Sequence, residues 1–483
     1  MIRAPVEYST ITSVRGPLIV VEKTHGVGWD EYAQIHLASG EVRHGVVLEV
    51  DHDLAVVQVM EGTAGLEPRT SRIGFIGRPL TVPVTDAWLG RECNGRGDPI
   101  DGGPPVLSSV EREVTGFAIN PARRETPSDP IITGVSVVDA LATVVRGQKL
   151  PIFSVGGLPH LELAVQIAAQ ARVGDAPFRV VFGAMGITQA DVAAVRAGLQ
   201  EREAAGELVL IINTAADPVV ERLLTPRLAL TIAEHLAFDL GFHVLVVLVD
   251  MTNYCEALRE IAAARGEVPT RGGYPGYLYS DLASIYERCG RIRDRPGSIT
   301  EIPVLTMPGG DITHPVPDLS GYITEGQLVL SADAWSRGIY PPMDVLPSLS
   351  RLMRRGTGAG KTRDDHPAIA AQLYASLAQA QRTRELAELL GASALSPTDR
   401  RYLDLADAFE RQLMAQGENE SRTIEETLDL AWQVASVLPR RELRMVSRSQ
   451  IETFYRSSEN EAPAIGSREA DAREADAPQT SES

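Results

Sequence analysis

Between about Ile131 and Gly360, this 483-residue chain alternates short, almost continuously apolar runs with amphipathic ones. The apolar runs are Phe178 to Phe182, Leu208 to Ile212 and Val244 to Val249, and helical patterns to Arg172, over Ala190 to Ala205 and over Pro226 to Leu240 separate them. A strand apolar on both sides must be covered on both faces, which predicts a parallel sheet between two layers of helices. Ligands of such sheets sit beyond the carboxyl ends of the strands.

One turn at that edge carries a nucleotide-like outline. Lys149 to Ala171 reads KLPIFSVGGLPHLELAVQIAAQA: an apolar entry, the glycine pair Gly156 and Gly157, then a helical run from Leu161. Glycines free backbone N–H groups to face a phosphate, and the following helix offers its positive end. The chemistry of a phosphate loop is nevertheless missing. Against G-x-x-x-x-G-K-[ST], Ser154 stands at the first glycine, Pro159 at the second, His160 at the lysine and Leu161 at the hydroxyl that would hold Mg²⁺. Ser154, Gly156, Gly157, Pro159 and His160 thus form a degenerate loop expected to bind nucleotide weakly or not at all, and no metal site is expected. The alternative is a plain strand-to-helix turn. Asp250, at the end of the Val244 to Val249 run, falls at the same edge, where related folds hold a Mg²⁺-linked water. With Leu161 unable to bind metal, Asp250 is expected to cap the turn at Thr252 and Asn253.

The flanks divide the chain. From about Leu18 to Val82, branched residues alternate around the polar turn Asp51-His52-Asp53, which predicts antiparallel hairpins and a small β-barrel. Its histidines, His25, His36, His44 and His52, lack ligand spacing and read as solvent-facing. Residues 88 to 105 form a Gly- and Pro-rich connector whose Arg96-Gly97-Asp98 reads as a chance match to an adhesion tripeptide. RGTGAGKT (Arg355 to Thr362) follows no strand and reads as a hinge into the next domain. Helix starts follow at Asp365-His366-Pro367, at Ser396 to Asp399 and at Thr423 with Glu426. The expected division is an N-terminal β-barrel at 1–82, a central nucleotide-fold domain at 83–360, a C-terminal helical bundle at 361–455 and an acidic tail at 456–483. The tail repeats Arg468 to Ala472 as Arg473 to Ala477, and it is too polar to bury enough surface to offset its ordering entropy.

Charge and cysteines narrow the function. A net charge of -18 argues against nucleic acid as a partner, since that binding runs on phosphate neutralisation. Cys93, Cys255 and Cys289 are too scattered for a disulfide framework or a zinc cluster and fit a reducing compartment. No charged-then-apolar leader pattern is evident, and Val244 to Val249 is too short to span a bilayer, so membrane association is expected only through partners.

The motifs MTNYCEALREI, GYPGY, DITHP, GYITEGQ and LPSLSR together resemble, nearly word for word, the B subunit of archaeal and bacterial V-type (A-type) rotary ATPases and ATP synthases. The resemblance runs to about Leu443. It implies a multidomain α/β chain with an N-terminal β-barrel, a RecA-like central domain and a C-terminal helical bundle around a rotating shaft. It further implies a non-catalytic, regulatory subunit that alternates with catalytic A subunits in a ring of three each. Central-shaft and peripheral-stalk subunits would be further partners, and proton or sodium flow through a membrane sector would be coupled to the ring. The chain would then be cytoplasmic and peripheral on the inner face of the cell membrane, with ATP or ADP and Mg²⁺ at the A/B interface and no cofactor held tightly by this chain. Against the family's usual loop, S-G-S-G-L-P-H-N-E, Val155 replaces a glycine, Gly156 a serine and Leu161 the asparagine. Ile187 takes the place of the glutamate that orients the attacking water in the related catalytic chains. The resemblance also assigns Arg351, in LPSLSR, as an arginine finger that reaches the neighbouring A subunit's phosphates.

Two other readings stand beside it. An independent ATPase of similar fold would need the loop lysine, where this chain has His160. A nucleic-acid motor would need a basic surface, which the net charge opposes.

Overall fold

The computed structural model of this chain describes residues 6–456 apart from 175, 392 and 394, so nearly all of the acidic tail lies outside the described residues. The N-terminal part is a curled seven-stranded antiparallel sheet. Its order is Val6–Tyr8, Arg72–Pro79, Glu31–His36, Val42–Asp51, Leu54–Val59, Leu18–Glu22, Ile11–Arg15. Period-two alternation turns Ile19, Val21, Ala33, Ile35, Val57 and Ile73 into its core. Asp51-His52-Asp53 closes the hairpin between Val42–Asp51 and Leu54–Val59, with His52 at φ 51. Val6–Tyr8 and Ile11–Arg15 precede the expected start at Leu18, because short, partly polar strands give little apolar signal. His44 corrects the solvent-facing reading of the histidines: it is half-buried, with Nδ1 2.7 Å from Glu61.

The central sheet has the expected parallel core. Its main path runs Met343–Ser350, Gly326–Leu330, Ile152–Ser154, Ser298–Thr306, His243–Val249, Phe178–Ile187, Leu208–Thr214, Arg91–Asn94. Every neighbouring pair along it is parallel except the first. The continuous apolar runs serve two cores at once. Leu245, Val247 and Val249 point into one, together with Leu208, Leu210 and Ile212. Val244, Val246, Leu248, Val209 and Ile211 point into the other. Leu373, Leu428 and Trp432 of the C-terminal helices belong to the first core, so the helical part is packed onto one face of the sheet.

The helix starts at His366, Pro397 and Ile424 fall where the capping signals put them, the last two with a reciprocal capping box. A further helix, Arg448–Phe454, is capped in the same way by Ser447 and Gln450. The expected start at Pro226 is wrong. That helix spans Val219–Glu234 with Pro226 inside it, because Leu228, Ala229 and Ile232 are buried in the second core and tertiary packing overrides the local stop signal. RGTGAGKT begins inside the short helix Met353–Gly356, which separates it from the strand Met343–Ser350, and its Lys361 ammonium is committed to the Arg355 carbonyl.

Candidate functional site

The degenerate loop leaves the end of the Ile152–Ser154 strand and enters the helix His160–Gln170. Gly156 and Gly157 form the middle of a tight turn, closed by the Leu158 N–H donating to the Val155 carbonyl at 3.1 Å. Gly157 has φ +88, the conformation for which glycine is needed at that turn position. The His160 N–H donates to the Leu158 carbonyl at 2.9 Å, and its Nδ1 lies 2.8 Å from the same oxygen. A carbonyl only accepts, so Nδ1 carries the proton. Ser154, buried, has its hydroxyl 3.2 Å from that Nδ1.

This loop therefore spends its polar groups on itself. Two of the N–H groups that a phosphate would need are bonded internally, and Pro159 has none. Glu162 places a carboxylate in the first turn of the helix, where a phosphate would gain from the positive end. Leu161 is buried in the first core. These residues do not fit a tightly held Mg-nucleotide. Titration calorimetry of the isolated chain should accordingly show weak or no Mg-ATP binding. A Mg²⁺-dependent dissociation constant in the micromolar range or tighter would contradict it.

Asp250 lies at the same edge, as expected, and both of its carboxylate oxygens are occupied. It caps the helix Met251–Ala264 by accepting the Thr252 N–H at 2.7 Å, and it accepts the Thr306 hydroxyl at 2.7 Å. Burial pushes its pKa up, as a desolvated carboxyl requires. Ile187 ends the Phe178–Ile187 strand and is buried with Leu161 and Val192, so apolar packing fills the position.

Arg351 stands elsewhere. It follows the antiparallel edge strand, whose Ser350 pairs with Gly326 at the start of the Gly326–Leu330 strand. Ile152 and Phe153 pair with Leu328 and Val329, so the glycine loop departs near the far end of that strand. The four steps from Gly326 to Leu330 correspond to about 13 Å. Arg351 and the glycine loop thus occupy opposite edges of the sheet, and the arginine is not directed at its own chain's loop. It is exposed, with its Nη1 donating to the Thr324 carbonyl at 3.3 Å and its N–H to the Glu325 carbonyl at 3.0 Å. Beside it opens a groove of about 630 Å³, lined by Leu346, Leu349, Arg354, Tyr374 and Met445 among others.

Beneath Arg351 is a charged cluster that the sequence patterns did not single out. Lys149 is buried, with its ammonium 2.9 Å from Glu325 and 3.1 Å from Glu287. Despite the desolvation that opposes its charge, these two carboxylates raise its pKa. A lysine directly before an apolar strand, and a glutamate inside GYITEGQ, were the available signals.

Comparison with known proteins accounts for most of the chain. Residues 134–350 match the nucleotide-binding domain of the ATP synthase alpha/beta family, and residues 11–77 match that family's beta-barrel domain. Residues 355–455 match the C-terminal domain of V and A type ATP synthase. The B subunit of the A-type ATP synthase of Aeropyrum pernix is 54% identical over 451 residues, which cover 93% of this chain and 97% of that one. A solved ATP synthase subunit from Nanoarcheaum equitans is 36% identical, with a TM-score of 0.68, covering 87% of this chain and 98% of that chain. With its β-sheet domain, its parallel-sheet domain and its helical C-terminus all matched in order, the chain belongs to the B subunits of A-type ATP synthases, within the ATP synthase alpha/beta family.

Proposed function

We propose that this chain is the non-catalytic, regulatory member of a rotary ATP synthase or ATPase ring, alternating with catalytic A subunits three and three. The observation that carries this reading is a division of the site: the loop lacks lysine and hydroxyl, Ile187 beside it stands for the glutamate, and the exposed Arg351 lies at the sheet edge away from them. Phosphoryl transfer depends almost wholly on positioning and charge stabilisation, so a chain without those groups does not hydrolyse ATP by itself. A planar, permanently charged guanidinium is the group suited to a neighbour's transition-state phosphate oxygens.

In this reading ATP or ADP with Mg²⁺ sits at the interface with the A subunit, which supplies lysine, hydroxyl and water-orienting glutamate. The helical part faces the central shaft, peripheral-stalk subunits hold the ring, and proton or sodium movement occurs in a separate membrane sector. Among the described residues no helix is long and apolar enough to cross a membrane. The chain would then lie on the cytoplasmic face of the cell membrane through the complex.

Native mass measurement of the co-purified complex tests the assignment. The expected mass is that of three copies of this chain with three of a catalytic chain, and ATPase activity should be absent from this chain alone. A homo-oligomer of this chain that hydrolyses ATP would refute the proposal.

A further inference from the structure

We infer that the ion pair between buried Lys149 and half-buried Glu325 is a positioning device for Arg351, fixing the platform on which both the backbone and the guanidinium of that arginine rest. The inference rests on the reading of Arg351 as the residue that acts on a neighbouring subunit.

Lys149 and Glu325 grip each other by main chain and side chain together. The Lys149 N–H donates to Glu325 Oε2 at 2.8 Å, its ammonium lies 2.9 Å from Oε1, and the Glu325 N–H donates back to the Lys149 carbonyl at 3.0 Å. Glu325 is thus held on three sides by one residue. Its own carbonyl receives the Arg351 N–H at 3.0 Å and the Gln148 side-chain amide at 3.0 Å. That same amide donates to the Ser350 hydroxyl at 3.0 Å, which donates in turn to the Thr143 carbonyl at 3.0 Å. The preceding carbonyl, Thr324, receives the Arg351 guanidinium. It caps the carboxyl end of the helix Pro315–Ile323, where the helix dipole favours a cation.

The platform has little slack. Gly326 has φ +137, and a Cβ there would lie 2.1 Å from the Leu349 carbonyl, so the two strands approach as only glycine allows. A buried ammonium is costly, and methionine, of similar length, would remove that cost while the Glu325 and Glu287 carboxylates it leaves behind are half-buried and reached by water. Methionine would keep the backbone N–H on Glu325 Oε2 and lose the ammonium on Oε1, so half of the grip on the carboxylate would go. If the platform shifts by about 1 Å, a group that acts by alignment loses on the order of a hundredfold in rate.

The test uses the reconstituted ring of this chain with its catalytic partner. Lys149→Met should assemble normally and lower kcat for ATP hydrolysis by tenfold to a hundredfold, with KM changed much less. Glu325→Gln is the second variant, chosen because it leaves the lysine buried beside Glu287; it should fall in the same direction and less far. The double variant Lys149→Met with Arg351→Ala should be no slower than Arg351→Ala alone, since a residue that acts through another has nothing further to remove. Wild-type turnover in both Lys149→Met and Glu325→Gln overturns the inference. So does a double variant slower than Arg351→Ala by the full Lys149→Met factor, which would mark a structural effect independent of the arginine. If Lys149→Met does not assemble, Glu325→Gln alone and combined with Arg351→Ala decides by the same criteria. Unchanged hydrolysis in Arg351→Ala would instead bring down the reading of Arg351 itself, and the positioning role with it.

Discussion

Arg351→Ala is expected to abolish most ATP hydrolysis by the assembled ring while leaving the fold and the assembly intact. The side chain is exposed and donates one hydrogen bond, at 3.3 Å to the Thr324 carbonyl, so its loss should cost the chain about 1 kcal/mol of stability at most. Its effect on turnover is of a different order. Arginines that act on a neighbour's phosphoryl group are worth about 10³ to 10⁵ in rate, or roughly 4 to 7 kcal/mol of transition-state stabilisation. Arg351→Lys should recover little, because an ammonium is a point charge and cannot reproduce a two-pronged donor. Nucleotide affinity should fall less than turnover, since the contact strengthens as charge develops on the transferring group. Steady-state hydrolysis by rings carrying each substitution measures this. A rate within about threefold of the unsubstituted ring, a loss of only ~0.65 kcal/mol, would reduce Arg351 to an ordinary surface residue.

Much of the architecture was legible because it is written in local patterns. Val244 to Val249 shows no polar alternation, and each of its residues is buried in one of two cores. Ser396 and Thr423 announce their helices through side-chain bonds made within a single turn. The degenerate loop could likewise be read from its residue types, since a missing lysine is visible without coordinates. Long-range pairing was not legible. Lys149 and Glu325 are 176 positions apart, and nothing in either segment names the other. The motifs GYITEGQ and LPSLSR looked independent, yet Gly326 and Gln327 pair with Ser350 and Leu349, so they are two strands of one support for Arg351. Pro226 shows the opposite failure, a strong local signal overruled by burial on either side of it. Glu301 was the clearest overlooked sign: a carboxylate in the middle of SITEIPVLT, in a strand that is otherwise fit only for a buried sheet.

That carboxylate yields the second large expectation, Glu301→Gln as a stabilising substitution at alkaline pH. Glu301 is fully buried in the Ser298–Thr306 strand, and neither carboxylate oxygen receives a hydrogen bond from nitrogen or oxygen. Around it are the Cys289 thiol, Lys149, and the Glu325 and Glu287 carboxylates. Desolvation pushes its pKa up from 4.5 to about 8. The folded chain therefore holds a proton that the unfolded chain releases above pH 4.5, so stability is fully present below that value and is lost as pH rises toward 8. At 1.36 kcal/mol per unit, the loss is roughly 3 to 5 kcal/mol. Asp139, buried and pushed up to about 7, adds a slope of the same sign that the substitution leaves in place. Glutamine keeps the shape and removes the titration, so the variant should unfold at a higher temperature than the unsubstituted chain at pH 8.5 and near the same temperature at pH 5. Thermal unfolding of both chains at the two pH values measures it. A variant less stable at pH 8.5 would mean that Glu301 is ionised in the folded state and that Lys149 holds it there, with the Coulomb attraction of one buried ammonium outweighing the cost of desolvation.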